Sequence, residues 1–285
     1  MLFSLAHLTL LDCSPPELTE IAARAGFDFV SLRLIPFGQP AEPRHQVATD
    51  RALLARTRRA LESTGVRLLD IELARIYPDV NIREYLPALE CAAELGGRHV
   101  LTSAWCSDSS FIVDRFGELC ELARPLGLTI DLEFVSYAGV RTLSQAAQIV
   151  RASGCANAGI CVDTLHFDRS AGDAADLARL PTEWFHYAQI CDAPAEFDRD
   201  EDDQRRVARE ARLFLGEGGI DVRGILANLP PVPYSIELPN TTRRRALGSQ
   251  EFARRCLSTA KRYLTRPPDL SRPPGGTRAE ARPSA

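Results

Sequence analysis

Short apolar runs rich in β-branched residues recur along the chain, and each is followed by a loop and a segment with helical spacing of its apolar positions. Residues 3–6, 27–32, 66–72, 99–104, 128–134, 159–162, 185–190 and 234–238 read as strands bounded by glycine, proline or polar turns. Runs this continuously apolar suit strands buried on both faces, as in a parallel sheet covered by helices. Between them, residues 18–25, 50–63, 82–95, 108–126, 142–152, 173–180, 222–229 and 249–264 have the helical pattern. Ser14 can cap the first helix ahead of its prolines, and Gly26 and Gly65 stand where helices stop. Eight such cycles specify an α/β fold of the (β/α)8 TIM-barrel kind better than an open sheet.

The alternation ends near residue 265, so residues 1–265 are expected to form one barrel. Residues 266–285 are rich in Pro, Gly and Arg, have too little apolar matter to join a core, and read as a disordered tail. The acidic run Asp198 to Asp203, in the longest connection, reads as a solvated helix start.

Composition narrows the function. The chain has 285 residues, 45% apolar and 25% charged, with 34 basic and 38 acidic side chains and a net charge of −4. That balance offers no general attraction to nucleic acid or to membrane surfaces. No apolar stretch approaches the ~20 residues of a membrane helix, and the N-terminus has no basic leader, so no signal peptide is expected. Eight scattered cysteines without a C-x-x-C pair suit buried free thiols in a reducing, cytoplasmic setting. The oligomeric state is open, a homo-oligomer included.

The candidate chemistry lies at four strand ends: Glu133 in LTIDLEF, Asp163 in GICVDTLHF, Gln189 in FHYAQICDAP and Glu237 in YSIELPN. Parallel barrel strands all point one way, so these groups converge on one mouth. Three carboxylates and an amide placed together repel one another unless a cation lies between them. An all-oxygen set suits Mn2+ or Mg2+, with Co2+ and Zn2+ as alternatives.

These residues carry a resemblance. Asp163 with His166 forms a D-x-x-H pair, and RLFLGEG (Arg212 to Gly218) is similar to an R-x-x-P-G-E/Q-G loop with Leu215 in place of proline. The chain thus resembles the xylose isomerase-like TIM-barrel family, which includes sugar-phosphate isomerases, ketose epimerases, inosose dehydratases and 3-dehydroshikimate dehydratases. The resemblance implies that Glu133, Asp163, Gln189 and Glu237 are metal ligands and that Glu133 and Glu237 also exchange protons with substrate. Many epimerases of the family have His where this chain has Gln189; the dehydratases can carry Gln there, and QICDAP also looks more like them.

His166 is expected to bind a substrate oxygen or protonate a leaving hydroxyl, which makes it a catalytic candidate with Glu133 and Glu237. Arg212, His7, Arg33, Glu72 and Trp105 are candidates for substrate binding, with Arg75 beyond Glu72, and Glu72 can also form a polar pair with Arg33 or Arg75. Asp192 is placed as a support behind the ligands, whereas His45, His99 and His186 are given no chemistry. The reading favoured at this point is a metal-dependent isomerase or epimerase that removes a proton beside a metal-bound carbonyl in a small polyhydroxylated keto substrate, a sugar, sugar phosphate or cyclitol. A dehydratase (lyase) of the 3-dehydroshikimate or inosose type is the alternative. A barrel-fold DNA-repair endonuclease would need a histidine-rich zinc cage and a basic face, both missing here. A non-catalytic metal-binding partner subunit ranks below the enzymes.

Overall fold

The structure is a computed structural model that describes residues 1–38, 42–43, 45–198 and 200–266. The sequence-based tail at residues 266–285 therefore lies almost wholly outside the described residues. Eight parallel strands close into a barrel in sequence order: β1 (Phe3–Leu5), β2 (Phe29–Arg33), β3 (Arg67–Ile76), β4 (His99–Ala104), β5 (Thr129–Glu133), β6 (Ala158–Asp163), β7 (Ala188–Ile190) and β8 (Tyr234–Ile236). The final pairing of β1 with β8, with Ser4 opposite Ser235, completes the cylinder. The helices are α1 (Pro15–Ala25), α2 (Arg51–Thr64), α3 (Leu86–Glu94), α4 (Ser109–Ala123), α5 (Leu143–Ser153), α6 (Thr164–Arg169), α7 (Glu201–Glu210), α8 (Val222–Leu226), α9 (Thr241–Leu247) and α10 (Ser249–Thr265).

Local chemistry sets the helix ends. Ser14 and Glu17 form a capping box around the prolines that open α1, and Gly26 ends it at φ 90°, where a side chain would be strained. Thr142 and Gln145 form the same box at α5. The acidic run behaves as expected: Asp200 caps α7 through the Asp202 and Asp203 amides, and those acids face the partial positive charge of the helix start.

Strand alternation divides the buried residues into two sets. Ile130, Leu132, Ile160 and Val162 belong to the large core packed against the helices. Leu101, Cys161 and Tyr187 belong to a smaller separate cluster on the alternate positions, which face the barrel interior. On the side of β1, β2, β3 and β8 the interior is polar: Ser31 donates to Asp70, and its hydroxyl lies 3.1 Å from that of Ser4 and 3.2 Å from that of Ser235.

Three sequence-based expectations need correction. The stretch after Asp163 is not loop but α6, because the Asp163 carboxylate accepts from the Leu165 amide and caps a new turn. Residues 173–180 form a 3-10 turn instead of an α-helix. The strand expected at 185–190 pairs only from Ala188, since a 3-10 turn over Thr182–Trp184 leads into it.

Candidate active site

Glu133, Asp163, Gln189 and Glu237 come together at the C-terminal end of the barrel, all buried, as the parallel strands require. Glu133 and Glu237 line a cavity of about 360 Å3, within the range of small-molecule sites, and Asp163 and Gln189 lie behind them. Oxygens of Glu133 and Asp163 and a ring nitrogen of His166 lie within 4.8 Å of one another.

Arg212 is buried among these acids. Its Nη1 donates to Asp163 Oδ2 at 2.6 Å, and its Nη2 donates to Glu237 Oε2 at 2.8 Å. Its Nε donates to Ala208 O at 2.8 Å, which fixes the plane of the guanidinium. The neighbouring turn holds it there: Asp192 accepts from the amides of Ala193, Gly216, Gly218 and Ile220 at 2.9–3.1 Å. Gly218 is needed for this, since a Cβ there would collide with Ala193 O and Asp192. Arg212, a candidate substrate contact by sequence, is thus first a counter-charge for the strand-end acids.

One guanidinium cannot neutralise three carboxylates. Burial pushes Glu133 well above the ordinary carboxylate range, and the charges of Glu237 and Asp163 push it the same way. Burial also raises Glu237, to about 8, against the pull of Arg212. Asp163 goes the other way, because Arg212 and His166 outweigh its burial. Among the described residues no hydrogen-bond donor meets the Glu133 carboxylate. By contrast, both oxygens of Glu237 are engaged, Oε1 by Gln189 Nε2 at 3.0 Å and Oε2 by Arg212. The Gln189 oxygen meets the Cys161 thiol at 3.6 Å, and half a turn of the amide would present it to the mouth instead. This donor set, oxygen-rich, desolvated and short of positive charge, fits a divalent cation.

Burial lowers His166 to about 4, so it is neutral near pH 7. Ser136 donates to Gln204 and can therefore only accept from His166, at 3.4 Å from Nδ1. The ring then carries its proton on Nδ1 and a lone pair on Nε2.

Arg33, Glu72 and Trp105 line the same cavity. Glu72 and Arg33 form the polar pair raised as a possibility, at 2.6 Å, and Glu42 joins it at 2.9 Å. Trp105 donates its indole N–H to Ser103 Oγ. His7 does not belong with the cavity lining: its Nε2 lies 2.9 Å from Cys13 O and its Nδ1 accepts from the Arg33 amide, so both nitrogens serve the backbone. Arg75 stacks on Phe37 and donates to the Phe37 carbonyl. Sequence reasoning missed Tyr137, whose ring meets His166 and Trp105 edge-on or tilted, and Arg209, which reaches the cavity from α7 over the Phe37 ring. Only the place of Tyr137 just after β5 could have marked it; Arg209, in α7, carried no such signal.

It also passed over His99 and His186. At the opposite end of the barrel both Nδ1 atoms face the carboxylate of Asp131, at 3.8 and 2.6 Å.

A family model described as xylose isomerase-like TIM barrel matches residues 19–256. The chain belongs to that family. Within it, the chain is 29% identical over 259 residues to a 3-dehydroshikimate dehydratase of Pseudomonas aeruginosa, covering 85% of this chain and 39% of that protein. It is 28% identical over 167 residues to an inosose isomerase of Bacillus licheniformis, covering 54% of this chain and 57% of the relative. The chain therefore spans less than two thirds of either relative. Among solved structures the family barrel superposes on the IOLI protein with a bound zinc atom at TM-score 0.78 and 20% identity, covering 93% of this chain and 98% of that one. The first two of these relatives carry enzyme names.

Proposed function

We propose that the chain is a divalent-metal-dependent dehydratase that removes a proton beside a carbonyl of a small polyhydroxylated, cyclic keto substrate and expels a hydroxyl from the next carbon. The observation that carries this reading is the inequality of the two glutamates. Inverting a carbon requires proton exchange on both faces, hence two comparable acid–base groups. Here Arg212 holds Glu237 Oε2 whichever way the Gln189 amide is turned, whereas the oxygens of Glu133 have no donor among the described residues. A single free carboxylate suits removal of a proton from one face, followed by elimination. The length of the match to the dehydratase along this chain and the presence of Gln189 where many epimerases of the family have His support the same choice.

Glu133, Asp163, Gln189 and Glu237 would hold the cation, with Mn2+ or Mg2+ preferred by their oxygens and Zn2+ or Co2+ as alternatives. A bound cation would supply Lewis-acid stabilisation of the negative charge that develops on the carbonyl oxygen. Glu133 takes the proton, its burial making it a stronger base than a solvated carboxylate once it is ionised, and returns that proton to the departing hydroxyl, so that water leaves and Glu133 is restored. The Nε2 lone pair of His166 accepts from a substrate hydroxyl and orients it. Arg212 keeps Asp163 and Glu237 in register, while Trp105, Tyr137 and the Arg33–Glu72 pair shape the cavity.

The purified protein with Mn2+ or Mg2+, incubated in D2O with 3-dehydroshikimate, inososes and ketoses, tests this. Loss of water from one of them is expected. Deuterium incorporation without loss of water would replace the dehydratase with an isomerase, the second reading, which the partial match to the inosose isomerase favours. Glu133→Gln is expected to bring turnover below detection and to lower metal content; full activity in this variant removes the assignment.

A further inference from the structure

We propose a second metal site, for Zn2+ or a similar borderline ion, at the end of the barrel opposite the mouth, formed by His99, Asp131 and His186. His99 opens β4, Asp131 lies near the start of β5, and His186 stands just ahead of β7. One donor atom from each lies within 4.8 Å of the others. His186 Nδ1 is 2.6 Å from Asp131 Oδ1, and His99 Nδ1 is 3.8 Å from Asp131 Oδ2. The donors of a tetrahedral ion bound at roughly 2.0–2.2 Å lie a little over 3 Å apart, so small side-chain adjustments suffice.

Three observations make this more than a hydrogen-bonded trio. The Asp131 carboxylate is fully buried, and among the described residues no arginine or lysine pairs with it; it is bonded by the His186 imidazole and by the Thr129 hydroxyl, at 2.7 Å, with the His99 imidazole behind that hydroxyl. A buried carboxylate calls for a positive charge, which a cation held between it and the imidazoles would supply. Next, the two imidazole rings stack with centroids 5.2 Å apart and planes 16° apart, with His186 Nδ1 against the carboxylate and His99 Nδ1 2.8 Å from the Thr129 hydroxyl that donates to it. Finally, β6 carries Gly159 between β5 and β7, where a Cβ would lie 2.6 Å from His186 Nδ1 and closer still to Asp131 Oδ1.

Two imidazoles and a carboxylate select Zn2+, Co2+ or Ni2+ over Mg2+ or Ca2+. The ring edges keep 14% and 22% exposure, so water can complete the coordination. Arg98 is the nearby opposing charge, and it is exposed to solvent. Barrel residues at this end serve stability, not turnover. An ion here ties β4 and β5 to the segment entering β7, across β6.

The test compares the metal-stripped full chain with His99→Gln and His186→Gln, each loaded with Zn2+ and freed of excess by gel filtration. Each variant is expected to retain one fewer zinc per chain than the wild type and to lose part of the zinc-induced rise in Tm. Glu133→Gln, altered at the mouth, is expected to keep that part. Equal zinc content and equal Tm response in the wild type and both histidine variants would overturn the proposal. Should a variant fail to fold, zinc anomalous scattering from wild-type crystals decides: a peak among His99, Asp131 and His186 supports the site, and its absence at saturating zinc removes it. The comparison is between chains with and without these imidazoles, so it stands whether or not the mouth takes an ion.

Discussion

Arg212 places one positive charge between Asp163 and Glu237, and its removal would leave two carboxylates buried without a counter-charge. Breaking a buried pair in this way costs about 3–5 kcal/mol. Arg212→Ala is therefore expected to lose about that much stability in urea unfolding of the ion-free protein, and to recover part of it when a divalent ion is added. A loss under 1 kcal/mol would mean that the acids find other compensation. The strand-end acids were legible because each closes a short apolar run, and the run itself fixes the direction of the chain. Their partners were not. That Gln189 donates to Glu237, or that both nitrogens of His7 serve the backbone, depends on rotamers chosen by neighbours distant in sequence.

At the level of elements, the turn from Arg212 to Ile220 hangs on a single side chain, since Asp192 accepts three of its backbone amides besides that of Ala193. Asp192→Asn turns one acceptor oxygen into a donor facing N–H groups. A loss of about 2–3 kcal/mol is expected in denaturant unfolding. Turnover should fall with it, because the backbone of Arg212 follows the turn. Wild-type stability in this variant would show that the loop holds itself. Gly218→Ala is expected to act in the same direction, through collision with Ala193 O. The sequence marked this loop by its glycines and charge, and it placed Asp192 as a support, but it did not reveal what was supported: bridges between Asp192 and Leu213 and between Ala211 and Asn240 join segments far apart along the chain, next to the paired ends of β7 and β8. Likewise α6 follows from a cap supplied by Asp163, a residue that read first as a metal ligand.

The whole molecule shows why the barrel was the easiest part to anticipate: eight repeats of one pattern reinforce each other, and local errors such as the short β7 leave closure unaffected. They also concentrate acid at the mouth, which has a consequence for stability. Glu237, raised from 4.5 to about 8, and Glu133, raised further, hold protons in the folded state that the unfolded chain releases. Stability from these groups therefore falls as pH rises from about 4.5 toward 8. Below 6.5 the lowered histidines His7, His99 and His166 act in the opposite sense, since the unfolded chain takes up protons that they refuse. Above 6.5 that opposition is gone. The ion-free protein is expected to lose stability between pH 6.5 and 8, by about 1.4 kcal/mol per pH unit for each fully retained proton. A divalent ion should flatten the slope; thermal unfolding across that window, with and without Mn2+, checks both statements.

The guanidinium among these acids also bears on what happens under scarcity. A chelator that withdraws the proposed ion would leave a cation already in place, so the emptied enzyme should wait folded and resume work on resupply without passing through a denatured form.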